Sequence, residues 1–307
     1  FIVKIIHHTD FAFLTPVNKI VFAVNYFKLK NLFAMKKLLW LAIPLVVVSC
    51  KKDSVRRDLY VDGKITIGTY SLSTYNIPKN DAKYVVVFET GLGDYSKVWK
   101  DSKVPDSVQS NLDIVLYDRA GYNTSGAAPA SRDVNKMRSD LEQIVSKFAN
   151  GRKVIFVAHS LGGYIVRDYA IKNPSKVAAI LFVDPSHEMY NGLMDQPLED
   201  LVYNSFKNLY GANFGGTMEA RELIEDAQYM STLPNLPNIP IAVLTSMKTD
   251  ATQGQDAADR QLWYTAHEAL KTGVTDFSHF TTTASGHYIM KTEPGLVISK
   301  LRALVAK

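Results

Sequence analysis

Val154-Ile155-Phe156-Val157-Ala158-His159-Ser160-Leu161-Gly162-Gly163-Tyr164-Ile165-Val166-Arg167-Asp168-Tyr169-Ala170 is the stretch that decides the fold. The apolar run 154–157 reads as a strand buried on both faces, and Gly163 to Ala170 as a helix, so Ser160 stands on the turn between them. Such a turn pushes the serine out of the sheet on a strained backbone, and the residues two before and two after must be small. Ala158 and Gly162 fit, and Gly163 leaves room for the helix to pack on the strand. The competing reading is a serine that merely caps a helix. The small flanking residues and the partners found further along the chain weigh against it.

Working outward, strand candidates fall at 84–89, 113–117, 153–157, 178–183, 241–245 and 276–284, mostly as continuous apolar runs. Between them lie helical patterns. The clearest is 132–149, where Val134, Met137, Leu141, Ile144, Val145 and Phe148 recur at three- and four-residue spacing before Gly151. The last helix starts near Pro294 and buries Val297, Ile298, Leu301, Leu304 and Val305. Alternation of this kind predicts an α/β fold, a mostly parallel sheet flanked by helices. Upstream, Leu59-Tyr60-Val61 and Ile65-Thr66-Ile67 flank Asp62-Gly63, which reads as a tight hairpin turn. One interval, about 188–237, has no strand pattern and carries many aromatic and methionine residues.

The blocks VVVFETGLGDYSKVW, DIVLYDRAGYNTS, VIFVAHSLGGYIVRDYA, ILFVDPSH and ASGHYI follow one another from about residue 84 to the C-terminus. In that order the chain resembles the α/β-hydrolase superfamily, in its serine esterase and lipase-like branch. The resemblance implies a nucleophile elbow at Ser160 and a helical cap over the site at about 188–237. It implies a catalytic base at His287, in the loop between the last strand and the final helix, and oxyanion donors at the Leu161 and Leu92 amides. Thr90-Gly91-Leu92-Gly93 stands where many relatives carry a His-Gly motif, which argues against the proline iminopeptidase branch. A serine rather than an aspartate at the elbow disfavours dehalogenase and epoxide-hydrolase chemistry.

The triad acid has two candidates. Asp250, after the strand at 241–245, occupies the commoner family location, one residue late. Asp184 ends the strand 178–183 and is favoured, because a strand end holds a carboxylate more rigidly than a loop rich in Thr, Gln, Gly and Asp. His159 reads as a packing residue, while His187, His267 and His279 lack a motif position, with His187 a possible lining of the pocket. Asp118 reads as structural, and Arg167 and Asp168 as helix-surface or buried-pair residues.

The expected activity is that of a serine hydrolase cleaving a carboxylic ester-like bond through an acyl-enzyme, with a small acyl substrate and neither metal nor organic cofactor. An amidase, thioesterase or acyltransferase on the same triad stays open, as does a non-catalytic ligand-binding protein of this fold.

Towards the N-terminus, Met35-Lys36-Lys37, the apolar run Leu38 to Val48 and Val47-Val48-Ser49-Cys50 resemble a bacterial lipoprotein signal ending at a lipidated cysteine. The expected organisation is upstream translation over 1–34, the signal over 35–49, a tether over 50–57 from Cys50, and the hydrolase domain over 58–307. The apolar run is shorter than the roughly 20 residues a membrane-spanning helix needs. The expected location is the bacterial cell envelope, anchored by lipid after export. Six of the 35 basic and one of the 30 acidic residues lie in 1–49, leaving 29 of each, so the basic balance offers no argument for nucleic acid. Cys50 is the sole cysteine, which excludes internal disulfides and a thiol nucleophile.

Overall fold

The computed structural model describes residues 59–109, 112–253 and 255–307. The upstream segment, the signal, Cys50 and the tether lie outside the described residues.

Eight strands form one sheet: β1 (Val61–Ile67), β2 (Tyr70–Ile77), β3 (Val85–Glu89), β4 (Asp113–Tyr117), β5 (Val154–His159), β6 (Val177–Val183), β7 (Ile241–Ser246) and β8 (Phe277–Thr282). Their order is β1-β2-β4-β3-β5-β6-β7-β8. Only the β1–β2 and β2–β4 pairs are antiparallel; every pairing from β4 through β8 is parallel.

The apolar runs supply two faces at once. In β3, Val85 and Val87 enter one core while Val86 and Phe88 enter the other, and in β5 Val154, Phe156 and Ala158 oppose Ile155 and Val157 in the same way. Period-two side chains of a strand covered on both sides explain why these segments read as unbroken apolar runs. On the first face lie α3 (Val134–Ala149) and α4 (Gly162–Lys172). On the second lie α1 (Lys97–Ser102), α2 (Val104–Val108) and α11 (Pro294–Val305). Asp133 starts α3 by accepting from the Lys136 amide at 2.9 Å, and Asn150, with φ 47°, ends it.

Between β6 and β7 the chain inserts four helices, α5 (Glu188–Asn191), α6 (Gln196–Tyr210), α7 (Gly215–Ala220) and α8 (Leu223–Ser231). They share the first core through Val202, Phe206, Ala220, Leu223 and Met230. Polar ties fasten them further: Asp226 accepts from the Val134 amide at 2.8 Å, and Arg167 on α4 grips Glu188 with two bonds of 2.6 and 3.0 Å. Asp168 accepts from the Tyr229 hydroxyl at 2.9 Å. Arg167 and Asp168 are thus buried ties between α4 and the insertion. The chain returns through α9 (Ala257–Glu268) and α10 (Ile289–Thr292).

The Asp62-Gly63 hairpin is corrected by the structure. Both residues lie inside β1, opposite Tyr75 and Thr74, and the reversal falls at Gly68-Thr69. Gly68 takes the left-handed φ of 56° that the turn demands. The mostly exposed β1, with little apolar signature, disguised one continuous strand as two short ones. Among the described residues, no helix is long and apolar enough to cross a membrane.

Candidate active site

Ser160 lies where β5 ends and α4 begins, with φ 53°, a left-handed conformation rare for a serine. The packing around it is close. A side chain at Gly162 would come within 2.8 Å of the Thr90 carbonyl oxygen, and one at Gly91 within 2.9 Å of Ser160 Cβ and 3.4 Å of its Oγ. The turn and the loop after β3 therefore press together at the serine.

Asp184 follows β6 and also has a left-handed φ, 49°. Its amide donates to the Leu244 carbonyl at 2.7 Å. Oδ1 accepts from the Ser246 amide and from Trp263 Nε1, each at 2.8 Å, and Oδ2 accepts from His287 Nδ1 at 2.7 Å. The first two donors cannot accept, so Oδ1 must be an acceptor, as a carboxylate provides. Burial pushes Asp184 upward; His267, the Ser246 amide, Trp263 and Arg260 oppose the shift. Burial, aided by the charge of Arg260, holds His287 well below its usual value and so neutral. Donation from Nδ1 leaves Nε2 as the basic nitrogen.

His159 is more than filler. Its ring lies 4.5 Å from that of His287, and Nε2 donates to the His287 carbonyl at 3.1 Å, which ties the residue beside Ser160 to the loop of His287. Asp250, in contrast, accepts from the amide and hydroxyl of Thr252 at 3.0 and 2.6 Å, within its own loop. His187 is buried and starts α5 by accepting from the Met189 amide at 3.2 Å. Asp118 is structural, holding the Ser96 amide at 2.8 Å and Asn123 at 2.9 Å.

Behind Asp184 runs a chain of hydrogen bonds. The Pro185 carbonyl accepts from His267 Nε2 at 2.7 Å, which makes Nδ1 the acceptor of the Thr245 hydroxyl at 2.5 Å. Thr245 Oγ1 in turn receives His279 Nε2 at 2.6 Å, and His279 Nδ1 meets Glu268. Burial drives His267 down to about 3, so the chain rests on a neutral ring. Sequence reasoning missed this chain and the Ser246 and Trp263 clamp, since their members carry no motif and meet only across β7 and α9.

Leu92 and Leu161 are both 2% exposed, and neither backbone N–H is engaged by another group among the described residues. Buried N–H groups are rarely left so. One amide follows Ser160 directly, and the other follows Gly91, where an added Cβ would lie 2.9 Å from Ser160 Cβ. Among the described residues no group of three or more His, Cys, Asp or Glu is placed to hold a metal ion.

The profile of the alpha/beta hydrolase fold matches residues 84–299. Among curated proteins, the chain is 23% identical to the uncharacterized protein YqjL of Bacillus subtilis over 71% of this chain and 82% of that one. It is 25% identical to the pimeloyl-[acyl-carrier protein] methyl ester esterase of Proteus mirabilis, covering 52% and 63% of the two chains. The solved structure of alpha/beta hydrolase domain-containing protein 10 from mouse superposes with a TM-score of 0.59 at 17% identity, over 80% of this chain and 98% of that one.

Proposed function

Because the chain belongs to the α/β-hydrolase fold family, we propose that it is a serine hydrolase cleaving a carboxylic ester-like bond through an acyl-enzyme. The observation that supports the reading is the His287–Asp184 pair, bonded at 2.7 Å, with the imidazole 4.5 Å from the ring of His159, the residue before a serine held at φ 53° on a strand-to-helix turn. Ser160 Oγ attacks the carbonyl carbon while its proton passes to His287 Nε2. The tetrahedral oxyanion is received by the Leu92 and Leu161 amides, which stabilise charge that develops only in the transition state. Collapse breaks the bond to the leaving alkoxide, which takes the proton back from Nε2. Water then repeats the sequence, releasing the acid and restoring Ser160. Asp184 keeps the proton of neutral His287 on Nδ1 and stabilises the imidazolium as it forms. The Proteus relative is a methyl ester esterase by name, which agrees with an ester substrate.

The test is hydrolysis of p-nitrophenyl acyl esters, followed by a panel of esters, thioesters, amides and lactones. Activity should vanish in Ser160→Ala, and a fluorophosphonate should label Ser160 alone. A Ser160→Ala variant as active as the wild type refutes the proposal.

From residues 35–50 alone we also propose that Cys50 is lipidated and anchors the protein to the cell envelope. A diacylglycerol with an amide-linked chain exceeds the single acyl chain that binds only marginally. Intact-mass analysis of natively expressed protein that retains residues 35–49 refutes this.

A further inference from the structure

Arg119, at the end of the block DIVLYDRAG, is a fully buried cation whose donors all have named acceptors. Nη1 donates to Glu89 Oε1 at 2.7 Å, to the Thr90 carbonyl at 2.9 Å and to Thr90 Oγ1 at 2.8 Å. Nη2 donates to the Gly91 carbonyl at 2.9 Å and to Glu219 Oε2 at 2.9 Å, while Nε donates to Glu219 Oε1 at 2.7 Å. The arginine therefore grips two successive carbonyls of the loop after β3 with one edge, and a carboxylate of α7 in the insertion with the other.

The Gly91 carbonyl and the Leu92 N–H belong to one peptide unit. There is no cis bond among the described residues, so the unit is planar and trans, and its C=O and N–H point in opposite directions. Fixing the Gly91 oxygen on Arg119 thus aims the Leu92 N–H away from the cation. A guanidinium bonded to the carbonyl also polarises the peptide and strengthens its N–H as a donor.

A second arm reaches the other side of Leu92. The Gly93 amide donates to the Tyr122 hydroxyl at 3.0 Å, and that hydroxyl donates to Glu219 Oε2 at 2.7 Å. Both arms end on one carboxylate. Glu219 is 1% exposed, and Glu89, on the far side of Arg119, is held by Tyr117 as well. The backbone reinforces the link, since the Gly215 amide at the start of α7 donates to the Gly121 carbonyl at 2.9 Å.

We propose that Glu219, acting through Arg119 and Tyr122, is a positioning residue that aims the Leu92 amide as an oxyanion donor and couples it to the inserted helices. The inference rests on the serine-hydrolase reading and deepens it. A cluster that only glued the insertion to the sheet would bond side chains across the interface. Here four of its bonds land instead on backbone or side-chain atoms of Thr90, Gly91 and Gly93, the residues flanking one amide.

Loss of an oxyanion donor costs about 10²- to 10³-fold in kcat, so misaiming one that remains should cost about 10- to 100-fold. The experiment compares Glu219→Gln and Tyr122→Phe in the full chain, using a p-nitrophenyl ester as substrate and an alkyl boronic acid as a mimic of the tetrahedral oxyanion. The expected result is a kcat lowered about 10- to 100-fold in Glu219→Gln and less in Tyr122→Phe, with KM within about threefold. Boronate affinity should fall by the same factor as kcat, and the acid limb of the pH profile should stay in place, because His287 is untouched. Should Glu219→Gln fail to fold, the isosteric Tyr122→Phe decides alone. A kcat and boronate affinity unchanged in the folded variants, or a rise confined to KM, overturns the proposal. Failure of the parent reading is distinguishable: it would show as ester hydrolysis that survives Ser160→Ala in the otherwise wild-type chain.

Discussion

Asp184→Asn is the most informative single change, because the donors around the carboxylate leave the amide one good orientation. Oδ1 accepts two N–H groups, from Ser246 and Trp263, whereas Oδ2 accepts from His287 Nδ1. The asparagine carbonyl must therefore take the Oδ1 place, and its NH2 must face the imidazole. Nδ1 is then forced to accept, the ring proton moves to Nε2, and the nitrogen that should take the Ser160 proton already carries one. The escape is to turn the amide over, which sets NH2 against two N–H donors and abandons two buried bonds, at about 1–3 kcal/mol each. The cheaper route limits the loss. Between that 2–6 kcal/mol and the roughly 10⁴-fold cost of the wrong tautomer in the serine-protease triad, kcat should fall by about 30- to 10⁴-fold. The assay is p-nitrophenyl ester turnover, with circular dichroism to establish folding. Among the described residues the Asp250 side chain bonds to Thr252 within its own loop, and Asp250→Asn should stay within about 0.5 kcal/mol, roughly twofold in rate. A folded Asp184→Asn that keeps its kcat, or an Asp250→Asn that loses more, refutes the reasoning and moves the acid to Asp250.

Other expectations can be checked with the same preparations. Burial depresses the His287 pKa, so the base is neutral and active above that pKa; kcat/KM should fall on acidification with an inflection below 6.5, and one above 6.5 contradicts it. Burial holds His267 at about 3 against an ordinary 6.5, so its contribution to stability is present above pH 6.5 and is lost as pH falls towards 3. Urea melts should show the wild type losing about 2 kcal/mol more between pH 7 and pH 5 than His267→Gln does. Gly91→Ala places a methyl 2.9 Å from Ser160 Cβ and 3.1 Å from His159 Nδ1, and should lower kcat about 10- to 100-fold in a folded protein, the scale of a small misplacement at a reacting group. Trp99 is fully buried against Phe88 and donates to the Glu89 carbonyl at 3.1 Å, so Trp99→Ala should cost about 3–5 kcal/mol by denaturant titration.

Much of the architecture was legible because the parallel strands are covered on both faces. Apolar runs such as Val85–Phe88 and Val154–Val157 announce that burial without reference to any partner. Helix α3 announced itself by its three- and four-residue spacing, and the insertion by its lack of strand pattern. The small residues around Ser160 marked the turn, since a tight strand-to-helix turn admits nothing larger. Edge structure was harder to read. The outermost strand β1 has little apolar signature, and an Asp-Gly pair inside it mimicked a turn that in fact falls at Gly68.

What the chain alone determined is whatever depends on neighbours within a few residues: strand and helix periodicity, the serine on its turn, and the glycines that let the loop at 90–93 approach. For the carboxylate that meets His287, Asp184 was favoured over Asp250 only on the rigidity of a strand end against a loop, because local sequence carries no distance. The register of β6 against β7 decided it in space, pairing Val183 with Leu244 and so bringing Asp184 under the Ser246 amide, 62 residues away in the chain. His287 joins that carboxylate across 103 residues, and Glu219 reaches Arg119 across 100. Contacts of this range arise only when the sheet is assembled and its helices are packed, since they depend on which surfaces meet and not on the pattern of any one segment.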